Sequence, residues 1–228
     1  MKAVVLAAGE GVRMRPLTLN TPKPLLEVNG KALLEYTLEL LPKSIDEVVI
    51  VEGYLGEKIR SHFGARFDGK NIQYVHQPVK NGTFRALELC RPLLDEEHFL
   101  MLFADDLFGP KSFERCVEKK GMCILTAHSK HPERFGTVEL NADGTLKELI
   151  EKPKIPKSNY VYCGPAVLGK ELFDFAPKIS ENGECYVPEA IHLMAQKWPV
   201  HVAIADAWLP IGYPEDLKNA EVFLEKLE

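Results

Sequence analysis

Leu6-Ala7-Ala8-Gly9-Glu10-Gly11-Val12-Arg13-Met14-Arg15-Pro16-Leu17-Thr18, followed two residues later by Thr21-Pro22-Lys23-Pro24-Leu25, is the stretch from which the fold of this 228-residue chain is read. Ala3-Val4-Val5-Leu6-Ala7 at its start is a short unbroken apolar run, the pattern of a strand covered on both faces in a parallel sheet. Directly after it, Gly9 and Gly11 free the backbone to curl so that amide N–H groups face an anion, and Arg13 and Lys23 bring positive charge to the same place. Strand, glycine loop and two cations in that order predict a nucleoside triphosphate site at the end of a strand. Two other glycine-loop classes fail on spacing: a Walker loop closes on Gly-Lys-Ser/Thr, and a dinucleotide fingerprint needs glycine where Met14 stands.

The charge distribution agrees. Residues 1–31 hold five cations (Lys2, Arg13, Arg15, Lys23, Lys31) against two anions (Glu10, Glu27), although the whole chain carries a net charge of −5. Positive charge is therefore concentrated where the anion is expected, with Arg15 read as a surface residue. An acidic chain lacks the broad basic face that nucleic acid demands, so a small phosphorylated ligand is expected and a nucleic-acid partner is not. Cys90, Cys116, Cys123, Cys163 and Cys185 contain no C-x-x-C pair, which argues against a zinc cluster or a redox couple and for reduced core thiols. Without an apparent leader, and without an apolar stretch near the ~20 residues of a membrane span, the expectation is a cytoplasmic enzyme with no membrane partner.

Farther along, strands and helices alternate. Helical spacing at 32–41 and 55–63 separates a strand at 47–51 from one at 72–76; a helix over 83–89 then leads to a strand at 99–103 that ends in Ala104-Asp105-Asp106. Such alternation predicts a three-layer α/β/α, Rossmann-like fold with a mixed, mainly parallel central sheet and its ligands at the carboxyl ends of the strands. Segments 136–140 and 146–151 flank Asn141-Ala142-Asp143-Gly144, a hairpin signal that predicts a small antiparallel insertion. A strand at 160–168, a helix at 187–196, a strand at 200–205 and a helix at 214–227 complete the reading. With no repeat or linker in view, residues 1–228 are expected to form a single domain without a C-terminal repeat extension.

Taken together these motifs resemble the sugar-phosphate nucleotidyltransferase family, whose members join a nucleoside triphosphate to a sugar 1-phosphate and release pyrophosphate. Leu6 to Thr18 is similar to the family's opening L-A-A-G-x-G-x-R-M-x-P-L-T, and Pro22-Lys23-Pro24-Leu25 to the P-K-P-L that follows it. Gln77 with Gly82-Thr83 resembles the Q-x-x-x-x-G-T segment that faces the base; Phe103-Ala104-Asp105-Asp106 resembles the strand end that carries a metal-binding aspartate. Glu151-Lys152-Pro153 is similar to the E-K-P near the sugar phosphate, Gly164 to a glycine of the sugar pocket, and Trp208 to Leu217 to the closing W-x-D-x-G-x-P-E-D-L. The resemblance implies Arg13, Lys23 and Asp105 as catalytic residues. It implies Leu6, Ala8, Gly9, Gly11, Gln77, Gly82, Thr83, Gly136, Glu151, Lys152 and Gly164 as substrate-binding residues, and magnesium as cofactor.

Two positions depart from the pattern. Pro210 stands where many members have an aspartate that is the second magnesium ligand, leaving Asp105 with Asp106 or Asp206 to hold the metal. Around Tyr162-Cys163-Gly164-Pro165-Ala166 the family tends to have asparagine before the glycine and an aromatic after it. The expected reaction is Mg2+-assisted in-line attack of a sugar phosphate oxygen on the α-phosphorus, with UTP or dTTP favoured over GTP and CTP. A mannose-1-phosphate guanylyltransferase or cytidylyltransferase on the same fold, a glycosyltransferase using the Asp105-Asp106 pair, and a non-catalytic nucleotide-sugar-binding regulatory subunit stand as alternatives. Oligomeric state, monomer or homo-oligomer, stays open.

Overall fold

The computed structural model describes residues 1–227; Glu228, the last residue of the span expected as one domain, lies outside the described residues. The opening apolar run forms β1 (Lys2–Leu6), with Ala3, Val4 and Val5 fully covered. Two short strands follow, β2 (Glu27–Val28) and β3 (Lys31–Ala32), then α1 (Leu33–Glu39) and β4 (Glu47–Glu52). The chain continues through α2 (Gly56–Phe63), β5 (Arg66–Phe67), β6 (Lys70–His76), α3 (Thr83–Glu88), β7 (His98–Phe103) and β8 (Leu107–Phe108). Next come α4 (Ser112–Val117), β9 (Cys123–His128), β10 (Gly136–Leu140), β11 (Leu146–Glu151) and β12 (Tyr160–Gly169). The last elements are α5 (Val187–Ala195), β13 (His201–Ile204), β14 (Trp208–Leu209) and α6 (Asp216–Glu225).

Ten strands form one mixed sheet in the order β11-β10-β12-β7-β1-β4-β6-β5, with β9 bonded to β12 and β13 bonded to β9. At its centre β7, β1, β4 and β6 run parallel, and the register sets Leu6 beside Phe103 on one side and Val51 on the other. Three strands thus finish level, and their loops open on one edge. Because successive side chains of a strand point to opposite faces, Val4 and Leu6 join the core under α3 and α5, while Ala3 and Val5 join the core under α1, α2 and α4. That is the expected three-layer arrangement. A third, smaller cluster of Met14, Leu26, Val28, Leu33, Leu107, Ile211 and Ala220 fastens α6 to the glycine loop and to β2.

The expected antiparallel hairpin is β10–β11, and it joins the main sheet through β12. β12 is where the cleft originates. One of its edges bonds β9, with a register shift between Tyr162 and Ala166; the other bonds β10 through Val161 and Tyr162 and then β7 from Ala166 to Gly169. The sheet therefore forks at Cys163-Gly164-Pro165. Gly164 sits at φ +113°, and a Cβ there would lie 2.7 Å from Cδ2 of Phe103, so the close approach of the fork to the end of β7 requires glycine. Beyond the two-residue strands β2, β3, β5, β8 and β14, the elements outside the sequence reading are α4 and β9. α4 is six residues long, too short to display a helical period, and the apolar run at 122–125 is only four residues long before Thr126, a length that periodicity leaves ambiguous. No helix among the described residues is long and apolar enough to cross a membrane.

Candidate active site

A cleft of about 830 Å3 opens at the carboxyl ends of the parallel strands and beside the fork in β12. It is built first from the loop after β1. Gly11 adopts φ +59°, its carbonyl accepts hydrogen bonds from Met14 N–H and, at 2.8 Å, from Thr18 Oγ1, and the chain turns into a short 3-10 helix, Val12–Met14, bearing Arg13. A Cβ on Gly11 would stand 3.0 Å from Lys23 Cβ, so the missing side chain lets Lys23 lie against the loop. Lys23 opens a second 3-10 turn and is buried, with its side chain 10% exposed; its Nζ donates to Asp105 Oδ2 at 2.6 Å. A buried ammonium needs such a partner, and Asp105, just past the end of β7, supplies it across the mouth of the cleft.

The far wall comes from the β10–β11 hairpin. Gly136 pairs with Glu151 and Tyr162, and Lys152, at φ +44°, donates its backbone N–H to the carbonyl of Phe135. Lys152 Nζ lies 3.3 Å from Glu151 Oε1, and both side chains are largely exposed to the cleft. Phe135 and Trp208 meet edge to face, with ring centroids 5.0 Å apart, as the apolar part of this wall. Gln77 donates its Nε2 hydrogens to Asn81 Oδ1 (3.1 Å) and to the Gly82 carbonyl (3.2 Å), leaving its Oε1 as an acceptor. Gly82 itself sits at φ +99°, ψ 170°, a conformation essentially reserved for glycine, and a Cβ there would be 2.2 Å from the carbonyl oxygen of Cys185. Thr83 Oγ1 accepts the N–H of Val187, which ties α3 to the start of α5.

All the expected substrate-binding residues line this one cleft, Leu6, Ala8 and Gly9 included, together with Arg13, Lys23, Asp105, Asp106 and Pro210. Asp206 is the exception. Its carboxylate accepts hydrogen bonds from Ser112 Oγ and from the N–H of Lys111 at the start of α4, and it does not line the cleft. The expectation that Asp206 reaches a metal there is therefore corrected. Asp106 lines the cleft but is committed: Oδ2 accepts from Trp208 Nε1 at 2.9 Å and Oδ1 from Ile211 N–H at 3.1 Å. Burial, with the neighbouring Asp105 charge adding to it, pushes the Asp106 carboxyl up to about 7. Among the described residues no group of three or more His, Cys, Asp or Glu side chains is placed to hold a metal ion. Asp105, at the end of β7 beside the glycine loop, has one carboxylate oxygen bonded to Lys23 and the other left over, which suits magnesium, an ion that keeps several waters and takes only one or two carboxylates.

A family model described as Nucleotidyl transferase matches residues 2–226. The chain belongs to the nucleotidyl transferase family. The chain is 35% identical over 237 residues to the UTP–glucose-1-phosphate uridylyltransferase AglF of Haloferax volcanii, covering 99% of this chain and 97% of that protein. It is 32% identical over 227 residues to the bifunctional protein GlmU of Methanocaldococcus jannaschii, covering 98% of this chain and 54% of that protein. It thus spans about half the length of the GlmU relative and nearly all of AglF. A Bacillus anthracis protein assigned as a glucose-1-phosphate thymidylyltransferase, solved in complex with a sucrose, superposes with a TM-score of 0.85 at 26% identity, over 98% of this chain and 94% of that one.

Sequence reasoning missed several residues of this nucleotidyl transferase cleft. Arg134, in a 3-10 turn just before β10, lines it, and so does Lys80, which pairs with Glu10 of the glycine loop; Tyr213, in the loop before α6, stands behind the lining with its ring against Arg13 and Arg134. Asp216 lines it too, with Oδ2 accepting the N–H groups of Gly212 and Tyr213 at 2.8 Å. None sits in a glycine loop or at the end of a parallel strand. Local pattern gave no cue, because only the fold carries 134 and 213 to the glycine loop.

Proposed function

We propose that this chain joins a nucleoside triphosphate, with UTP or dTTP favoured, to a sugar 1-phosphate, forming a nucleotide sugar and releasing pyrophosphate. Residues 1–228 act in this reading as one catalytic domain. The observation that carries it is the meeting, in one cleft, of the glycine loop, two cations of the opening stretch (Arg13 and Lys23), a third from the distant hairpin (Lys152) and the Asp105 carboxylate. Both reactants are anions, so the chief obstacle is their repulsion, and fixed cations around the reacting phosphorus are the main source of rate. Arg13 holds the β- and γ-phosphates, Lys23 the α-phosphate, and Lys152 the phosphate of the incoming sugar. That phosphate is already ionised near neutral pH, so its oxygen attacks the α-phosphorus in line with the departing pyrophosphate without a general base.

Magnesium, held by Asp105 together with water and phosphate oxygens, supplies charge neutralisation and a template for the triphosphate. Asp106 acts on the protein side, holding Trp208 and the 210–211 backbone at the wall. Base choice rests on Gln77. With both amide hydrogens engaged, its free Oε1 accepts from the N3–H of uracil or thymine, whereas cytosine offers an acceptor at that atom. Pyrophosphate release measured across four NTPs and a panel of sugar 1-phosphates, with Mg2+ and then with chelator, tests the reading. Metal-dependent release with UTP or dTTP is expected. Binding of nucleotide sugar with no turnover for any pair would instead support a regulatory subunit, the reading that Pro210 in the wall favours, since its side chain offers no metal ligand.

A further inference from the structure

The cations of the cleft divide into two kinds. Each lysine that lines it has a carboxylate partner: Lys23 with Asp105, Lys80 with Glu10, and Lys152 with Glu151. The side chains of the two arginines that line it, Arg13 and Arg134, have no ion pair and no hydrogen bond to any described residue; each instead lies over the ring of Tyr213, with the guanidinium carbon 5.4 Å and 5.7 Å from the ring centroid. The nearby carboxylate of Asp216 is turned to the backbone, accepting the N–H groups of Gly212 and Tyr213 and so fixing the tyrosine in place. Two guanidinium groups come from elements more than a hundred residues apart, meet on one aromatic ring, and keep their N–H donors free. That is a preformed site for a dianionic or more highly charged group with several oxygens. Guanidinium is a planar fork that binds phosphate oxygens bidentately while stacking flat on an aromatic face, whereas an ammonium is a point charge without that fork.

We propose that Arg13 and Arg134 form a two-guanidinium clamp for the leaving pyrophosphate end of the nucleotide, and that Tyr213 is the positioning residue that aligns them. The assignment rests on the nucleotidyl transfer reading and adds to it Arg134 as a second phosphate-binding arginine and an aromatic ring that sets the spacing of the pair. The ring face, not the hydroxyl, performs this role.

The test uses inorganic pyrophosphate as the probe in titration calorimetry, with Michaelis constants for each substrate, on the wild type and on Arg134→Ala, Tyr213→Leu and Tyr213→Phe. Arg134→Ala and Tyr213→Leu are each expected to weaken pyrophosphate binding and raise the KM for the NTP on the order of tenfold, leaving the KM for the sugar phosphate within about twofold. Tyr213→Phe keeps the ring face and is expected to restore binding to within about twofold of the wild type. Tyr213→Leu that melts with the wild type and binds pyrophosphate as well would overturn the clamp, and so would Tyr213→Phe binding as poorly as Tyr213→Leu. Arg134→Ala alters an exposed side chain, so unchanged binding in that variant counts against the clamp whatever happens to Tyr213→Leu. Pyrophosphate binding that weakens as expected, with no turnover for any NTP and sugar phosphate, would leave the clamp standing and overturn the nucleotidyl transfer reading.

Discussion

Lys23 shows how one side chain is made useful by its surroundings. Its stem lies against the space left by Gly11, and its ammonium, largely removed from water, faces a single carboxylate, Asp105. In that position its charge is poorly screened by solvent, and a phosphate entering between the glycine loop and Asp105 meets it at short range. Lys23→Ala or Arg13→Ala is expected to lower turnover by ~10²-fold or more, the scale of losing one preorganised charge-stabilising donor; steady-state kinetics with the preferred NTP checks this, and unchanged rates would remove the residue from the mechanism. Asp105→Asn keeps the shape but loses the charge. Its expected outcome is a marked rise in the magnesium concentration needed for half-maximal rate, read from a metal titration, and an unaltered titration would refute Asp105 as the metal-holding group. Arg13, Lys23 and Asp105 were all readable in the sequence, because a glycine loop and a strand-end aspartate are local signals. Arg134 and Tyr213 were not, since a lone arginine after Pro132-Glu133 and a tyrosine in a loop look like ordinary surface until the fold brings them together.

At the scale of elements, the cleft depends on a forked strand and an anchored loop. β12 serves three neighbours, and its Cys163-Gly164-Pro165 stretch separates β10 from β7 so that a pocket opens between them. The opposite rim, the 208–213 segment, is held by Asp106 through the Trp208 indole N–H and the Ile211 backbone N–H. Asp106→Ala would strand both donors, each costing about 1–3 kcal/mol where water cannot replace the partner. The expected loss is therefore about 2 kcal/mol or more by urea denaturation, with a raised KM for the sugar phosphate because Trp208 and Phe135 shift together. A variant as stable as the wild type would show that water reaches both donors. Adjacent residues in an extended chain point apart, which explains why neighbouring aspartates take different duties: Asp105 faces Lys23 and the cleft, whereas Asp106 faces the backbone of the rim.

On the scale of the whole molecule, the residues that line the cleft reach from Leu6 to Asp216, at the edge of the single sheet that the two layers of helices cover. A nucleotide that spans this cleft binds only the folded chain, so it should raise stability by mass action, by about 2.7 kcal/mol at a hundred times its Kd. Thermal melting with UTP or dTTP and Mg2+ is expected to show an upward shift that Lys23→Ala greatly reduces; an equal shift in that variant would place the nucleotide elsewhere. The strand–helix alternation, the α/β/α layering, the β10–β11 hairpin and the glycine loop were determined by the sequence alone, because each rests on apolar periodicity or on backbone freedom within a few residues. Only the tertiary structure decided that Asp206 caps α4 instead of facing the cleft, that Asp106 anchors the rim, and that Arg13 and Arg134 share Tyr213. Those outcomes depend on long-range register and on the fork in β12, where side chains far apart in the chain compete for partners, and no local pattern records which of them finds one.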